Sequence, residues 1–290
     1  MRGYKLSKVN PPHPNPLPCG KRERRPAALE IVHKSKVSLE AALANERTLD
    51  GQVAIVTGGV RRLGRAMALA LARDGAAVVV NARSSREEAE RTAAEVEKVG
   101  ARALMHLADV TDEAAVGTMV DTVIKTFGRV DILINNAAVR AEAHFLDMSL
   151  KQWHEVLSVI LDGAFLCSRA VLPHMLKNKY GRIINLGGVS THLGAPGRAH
   201  VGTGKMGIVG FTKSIASEFA PHGITVNCVV PGKIGGERSA TSGRGIQAVP
   251  PVGREGVPDD VAGVVRMLCQ PQADYLTGQT LHVSGGLYMP

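Results

Sequence analysis

Aromatic side chains are scarce, with five Phe, four Tyr and one Trp in 290 residues. So few rings give no stacking platform for single-stranded nucleic acid, whose binding rests on base–aromatic contacts. Cysteine is scarce too. Cys19, Cys167, Cys228 and Cys269 are widely and irregularly spaced, which matches neither a zinc-ligand pattern nor a disulfide framework. No metal site is expected, and a reduced, cytoplasmic compartment fits this usage. No stretch approaches the roughly 18 uninterrupted apolar residues of a membrane span, so no membrane partner is expected.

Acidic residues are nearly absent from the first 36 positions. That segment holds nine basic side chains against two acidic ones, and so carries seven of the chain's nine net positive charges. The remainder is close to neutral, so the total charge does not argue for a nucleic-acid partner. The same segment contains PPHPNPLP, a run without apolar periodicity that cannot bury enough surface to order itself. It lacks the apolar core of a secretory signal and is too rich in proline for an amphipathic transit helix. A basic interaction arm, a flexible solvated tail and sequence upstream of the true start all remain open for it. Residues 1–46 are therefore read as a flexible basic, Pro-rich tail and residues 47–290 as one folded domain, with its core starting near Leu49.

From Leu49 onward the chain alternates regularly. Short apolar runs at 52–57, 76–81, 101–107, 131–135, 181–186, 224–230 and 279–283 read as strands. Segments with helical spacing at 63–73, 85–99, 112–127, 150–177, 201–220 and 258–269 separate most of them. Ser85 is placed to cap the second helix. Strand and helix in this alternation imply an α/β fold of three layers, αβα, with a single parallel sheet of about seven strands.

The first strand runs into Thr57-Gly58-Gly59-Val60-Arg61-Arg62-Leu63-Gly64. Glycines at such a junction let the backbone turn tightly and approach a phosphate, and the free N–H groups of the following helix favour an anion. Glycine in a tight turn is weak evidence alone; its place between a strand and a helix strengthens it. Further on come Ala108-Asp109-Val110, Asn135-Asn136-Ala137-Ala138, Pro231-Gly232-Lys233-Ile234, Leu276-Thr277-Gly278-Gln279 and Val283-Ser284-Gly285-Gly286. In this order and context the chain resembles the short-chain dehydrogenase/reductase family, over nearly everything from Leu49 to the C-terminus.

The resemblance implies a Rossmann fold that binds a nicotinamide dinucleotide. Gly58, Arg61, Arg62, Leu63 and Gly64 would line the pyrophosphate and ribose-phosphate region. Asp109, Val110, Asn136 and Ala137 would lie near the adenine and its ribose. Lys205 would hold the nicotinamide ribose, and Pro231, Gly232 and Ile234 would back the nicotinamide. Arg62 stands where the family's TGxxxGxG pattern has its middle glycine, as in pteridine reductases, and a guanidinium there can fork onto phosphate oxygens. The second strand ends in Asn81-Ala82-Arg83-Ser84-Ser85, with no acid before Glu87. An acid at that point would repel a 2′-phosphate. Its absence, with Arg61 and Arg83 nearby, favours NADP(H) over NAD(H).

The proton-transfer side departs from the family. Its Tyr-x-x-x-Lys pair corresponds to Val201 and Lys205, its serine to Gly188 and its asparagine to Ile160, so only the lysine is kept. One reading gives the proton to another group, with His200 beside the vacated position and Ser190 near Gly188 as candidates, and His192 and Asp162 also close in sequence to vacated positions. Adjacent helical residues differ by about 100° in direction, so His200 cannot simply take the tyrosine's place. A second reading has hydride transfer proceed without a tyrosine, Lys205 or a substrate group handling the proton. The function expected from these readings is an NADP(H)-dependent oxidoreductase of a small carbonyl or alcohol, similar to a 3-oxoacyl reductase, with a non-standard proton donor. A third reading is a non-catalytic NADP(H)-binding sensor or scaffold subunit. The helices at 150–177 and 201–220 resemble those through which family members form homodimers and homotetramers. The Gly- and Ser-rich segment 235–249 corresponds to the family's substrate lid and identifies no substrate.

Overall fold

The computed structural model describes residues 47–139, 141–236 and 248–290. The tail and most of the lid segment lie outside the described residues. Arg47–Pro290 forms one compact unit. Leu49 is fully buried at its start.

Seven parallel strands form the sheet: β1 (Val53–Val56), β2 (Ala77–Ala82), β3 (Ala103–Leu107), β4 (Ile132–Asn135), β5 (Gly181–Leu186), β6 (Ile224–Pro231) and β7 (Thr280–Val283). Their order across the sheet is β3-β2-β1-β4-β5-β6-β7. The strands are mostly apolar because both faces of the sheet are covered, with β1 and the Ile132–Ile134 stretch of β4 wholly so. In β1, Ala54 and Val56 point into one apolar cluster and Val53 and Ile55 into the other. Register is set by the same demand: Ala54 lies beside Val78 on one side and Ile132 on the other.

On the first face lie α1 (Arg62–Arg73), α2 (Arg86–Lys98) and α8 (Pro258–Cys269); on the second, α3 (Glu113–Phe127), α5 (Gly163–Asn178) and α7 (Ala199–Phe219). The side chain of Asp112 accepts from the N–H groups of Ala114 and Ala115 and starts α3, a cap worth about 1 kcal/mol. Ser85 occupies the matching position before α2, but its side chain makes no capping hydrogen bond.

The long helix expected at 150–177 is present but interrupted. α4 (Leu150–Leu157) opens with a Ser149–Gln152 capping box, passes through a π-helical turn at Ser158–Asp162, and continues as α5. By length and composition the run Leu150–Asn178 is apolar enough to cross a membrane, yet 44% of its most apolar window is buried inside the protein. Its Val156, Ile160, Ala164, Cys167, Val171 and Met175 serve the core. A short helix, α6 (Val189–Leu193), was not expected from the sequence.

The chain moves outward from β1 through β2 to β3, then returns beside β1 at β4 and proceeds the other way. The crevice at the carboxyl ends of β1 and β4, where direction reverses, is the place an open α/β sheet offers a ligand.

Candidate active site

The turn after β1 is the most constrained part of this crevice. Gly58 has φ +59, a left-handed conformation that glycine adopts without a steric penalty. A Cβ on Gly64 would meet the Gly58 carbonyl oxygen at 2.2 Å and Asn136 Nδ2 at 2.8 Å. Asn136 Nδ2 donates to the carbonyls of Thr57 and Gly58, at 2.9 and 3.0 Å. Thr57 Oγ1 accepts from the N–H groups of Asn136 and Ala137 and donates to the Ile134 carbonyl. Asn136, expected beside an adenosine, thus spends its amide clamping the loop to β4. The loop leads directly into the N-terminus of α1.

Arg62 is a non-glycine residue at φ +45. Its Nη2 donates to the carbonyls of Ile234 and Gly235, at 3.0 and 3.1 Å. It ties the start of α1 to the turn after β6 across more than half the sequence. Arg61 instead turns outward, its Nε 2.5 Å from Glu88.

At the end of β2, Asn81 is buried and its amide donates to the carbonyls of His106 and Ala108. A neutral side chain therefore fills the strand end, and Arg83 beyond it is exposed. Burial pushes the Asp109 carboxyl up, but the Thr111 N–H and hydroxyl and the Arg83 charge outweigh it, leaving the carboxyl below its ordinary value. Val110 packs where a Cβ on Gly163 would touch it.

Lys205, on α7, sends its Nζ to the Leu186 carbonyl at 2.6 Å. A buried polar chain holds α7 in place: Asn135 Nδ2 donates to Asn185 Oδ1, Asn185 Nδ2 to Thr212 Oγ1, and Thr212 Oγ1 to the Ile208 carbonyl. Three elements, β4, β5 and α7, are thereby locked in one register with the lysine above them.

Between these parts lies a cleft of about 140 Å³. Of the residues expected at a site, it gathers Arg62, Leu63, Asn136, Ser190, Lys205, Pro231, Gly232 and Ile234. Gly188 and Val201 line it as well. A Cβ on Gly188 would meet nothing within 4 Å. Ile160 sits in the π turn, nearly fully buried, where a Cβ on Gly204 would meet its side chain at 3.1 Å. Arg198 and Lys233 also line the cleft. Lys233 belongs to the Pro231-Gly232-Lys233-Ile234 motif; Arg198 did not stand out in the sequence, because its distance from the cleft depends on how α7 is docked.

His200 requires a correction. It is fully buried, does not line the cleft, and neither ring nitrogen has a hydrogen-bond partner among the described residues. Burial, and then the Arg198 charge, hold its pKa below the ordinary value, so the ring stays neutral near pH 7. A neutral imidazole pointed away from the cleft is not placed to donate a proton there. His192 packs instead on the rings of His282 and Tyr288, at 4.6 and 4.9 Å, and Asp162 is exposed. Ser190 alone of those side-chain candidates faces the cleft.

The enoyl-(acyl carrier protein) reductase family pattern matches residues 58–288. The 3-oxoacyl-[acyl-carrier-protein] reductase of Synechocystis sp. is 42% identical over 243 residues, which cover 83% of this chain and 98% of that protein. The chain belongs to the short-chain dehydrogenase/reductase family. This is a family of oxidoreductases, and other relatives agree. FabG of Escherichia coli, a 3-oxoacyl-[acyl-carrier-protein] reductase, is 38% identical over 244 residues, 83% of this chain and 98% of its own length. The crystal structure of an NAD+-bound xylitol dehydrogenase superposes with a TM-score of 0.76 at 32% identity, covering 82% of this chain and 99% of that one.

Proposed function

We propose that this short-chain dehydrogenase/reductase uses NADP(H) to interconvert a small carbonyl compound and its alcohol, with a proton donor other than the family's tyrosine. The observation that carries the reading is the cradle at Gly64, where backbone and Asn136 leave no room for even a methyl group. Such closeness of loop, helix N-terminus and β4 suits a pyrophosphate approached by bare backbone. Gly58, Arg62, Leu63 and Gly64 would hold that group, Asp109, Val110 and Ala137 the adenosine end, Lys205 the nicotinamide ribose, and Pro231, Gly232 and Ile234 the ring. When bound, the dinucleotide supplies or accepts the hydride.

NADP(H) is favoured because β2 ends in neutral, buried Asn81 with exposed Arg83 beyond it and no acid between. Arg61 contributes less than the sequence suggests, since Glu88 already holds it. Within the cleft, Val201 has no proton to give, whereas the Lys205 ammonium and the Ser190 hydroxyl do. We assign the proton to Lys205, with Ser190 orienting the substrate oxygen. The apolar replacement at Val201 also supports a second reading, a protein that binds NADP(H) as a sensor or scaffold without turnover.

Fluorescence titration with NADPH and NADH, followed by a carbonyl screen, separates these readings. Tight NADPH binding with turnover supports the enzyme, and tight binding with no substrate supports the sensor. Failure of both dinucleotides to bind overturns both. Free, buried Cys167, Cys228 and Cys269 accord with a cytoplasmic site of action. Exposed Phe165 on α5 and Met206 on α7 accord with a homodimer or homotetramer built on those helices; a monomer by light scattering at micromolar concentration would overturn that.

A further inference from the structure

A second cavity, of about 220 Å³, lies where β5 and β6 begin, at the end of the sheet opposite the cleft. Two side chains that line it carry buried polar atoms with nothing to bond. Arg182 is the second residue of β5, and its side chain is only 2% exposed. Its Nη1 donates to the Gly181 carbonyl at 3.0 Å and its Nη2 to the Asp274 carboxylate. Its Cζ lies 4.3 Å from the centre of the Tyr180 ring. Its Nε has no hydrogen-bond partner among the described residues. Thr225, the second residue of β6, is 5% exposed, and its Oγ1 has no such partner either. The parallel register pairs Arg182 with Thr225, so the two side chains leave the same face of the sheet side by side. Lys179 lines the cavity from the end of α5, where its backbone is held at φ +49. It is exposed, and its ammonium has no hydrogen-bond or ion-pair partner among the described residues.

We infer that this cavity is a phosphate site, taking inorganic phosphate or a small phosphomonoester, and that it is separate from the dinucleotide crevice. The inference does not depend on the reaction carried out at the cleft. Buried polar side-chain atoms are paired in the great majority of cases, so a guanidinium N–H and a hydroxyl left open side by side call for a ligand. Both can donate, and Lys179 supplies a third donor. A terminal phosphoryl group answers them with three strong acceptor oxygens. The cavity is far larger than the roughly 10–15 Å³ that a single water requires, which leaves room for such a group. Two cations stand against one acid, Asp274, among the lining residues that the structure describes. Asp274 is itself 68% exposed, and it is the carboxylate with which an incoming anion competes for the guanidinium.

The test uses the full chain and calorimetric titration at constant ionic strength with inorganic phosphate and with glycerol 3-phosphate, each with and without saturating NADPH. At least one of the two is expected to bind whether or not NADPH is present. Tighter binding of glycerol 3-phosphate assigns the site to a phosphomonoester, and tighter binding of phosphate assigns it to the free ion. Arg182 is too deep in the fold to be the first target, so the variants surround it. Thr225→Val keeps the shape and loses the hydroxyl. It should weaken anion binding by about tenfold, the usual worth of a charge-assisted hydrogen bond. The ligand-free variant should melt no lower than the parent, because a methyl group replaces an unpaired buried hydroxyl. Lys179→Gln should also weaken binding, and Asp274→Asn should tighten it by removing the competing carboxylate. A thermal melt of each variant shows whether it is folded. No binding of either anion, binding that NADPH abolishes, or an affinity unchanged in both Thr225→Val and Lys179→Gln would each overturn the inference.

Discussion

Thr57–Gly64 and the pair Gly188 and Val201 are parts of one crevice built to different tolerances. Around the loop, a single added carbon at Gly64 would sit 2.2 Å from a carbonyl oxygen, and Thr57 and Asn136 hold the backbone with five hydrogen bonds. At Gly188 a Cβ would enter open space, and Val201 offers the cleft only methyl groups. The difference separates two demands on such a site. Holding a dinucleotide needs backbone shape, which is lost with one atom. Moving a proton needs one ionisable side chain, which a substitution removes without disturbing the fold.

The largest expected effect comes from filling the open wall. Gly188 has an extended backbone, φ −175, that serine adopts freely, and Val201 already faces the cleft one turn before Lys205. Gly188→Ser with Val201→Tyr should raise carbonyl turnover by ~10²-fold or more, the usual worth of a general acid. NADPH oxidation followed by absorbance reads it. An unchanged rate would mean that the wall is complete as it stands, and the comparison would break there.

Gly64→Ala attacks the tight wall. The added methyl must displace the Gly58 carbonyl, and NADPH affinity should fall by about 100-fold, a loss of two to three good hydrogen bonds. Circular dichroism on the same sample distinguishes a distorted loop from an unfolded chain. Arg83→Asp is milder. It should shift the NADPH-to-NADH affinity ratio by at least about tenfold, by removing one charge-assisted partner and adding a repulsive one. Equal weakening of both would detach Arg83 from the 2′-phosphate.

Two smaller effects concern groups buried away from the cleft. His200 has a pKa held below its ordinary value by burial and by Arg198. An unfolded histidine titrates near 6.5, so below that pH the unfolded chain takes up a proton that the folded one refuses. This contribution to stability is present above about pH 6.5 and is lost as pH falls. His200→Leu should therefore flatten the acid limb of a Tm-against-pH curve; a steeper limb, or a collapse of turnover, would return His200 to the site. At the alkaline end, burial pushes the Cys167 and Cys269 thiols up to about 12 and Cys228 up to about 11. Stability should fall as pH climbs from about 9 toward those values, because only the unfolded chain ionises there. At pH 8 these three thiols should react with a disulfide reagent only after unfolding; rapid labelling of Cys167, Cys228 or Cys269 in the native form of a Cys19→Ser variant would show that these positions open.

Local residue pattern was enough to set the layers of this protein and the glycine turn after β1. Strands covered on both faces must be mostly apolar, as Val78–Val80 and Ile132–Ile134 are, and helices between them must alternate, so the doubly wound sheet was legible. The glycines at 58 and 64 were legible for a related reason: their requirement is local, set by turn geometry and by the next helix. Long-range packing settled the rest. The π turn at Ser158–Asp162 carries no composition signal that a helix would lack. Arg62 reaches carbonyls 172 and 173 residues away, which no local pattern foretells. His200 and Val201 are neighbours in sequence, yet about 100° of helical rotation sends one ring into the interior and the other side chain to the cleft. Arg198 becomes a cleft residue only because α7 is docked with its N-terminus there, by the buried chain from Asn135 through Asn185 to Thr212. A side chain's chemistry is written in its residue type; the direction in which it acts is set by the rotation of the element that carries it, and that rotation is fixed by packing against residues far away in the chain.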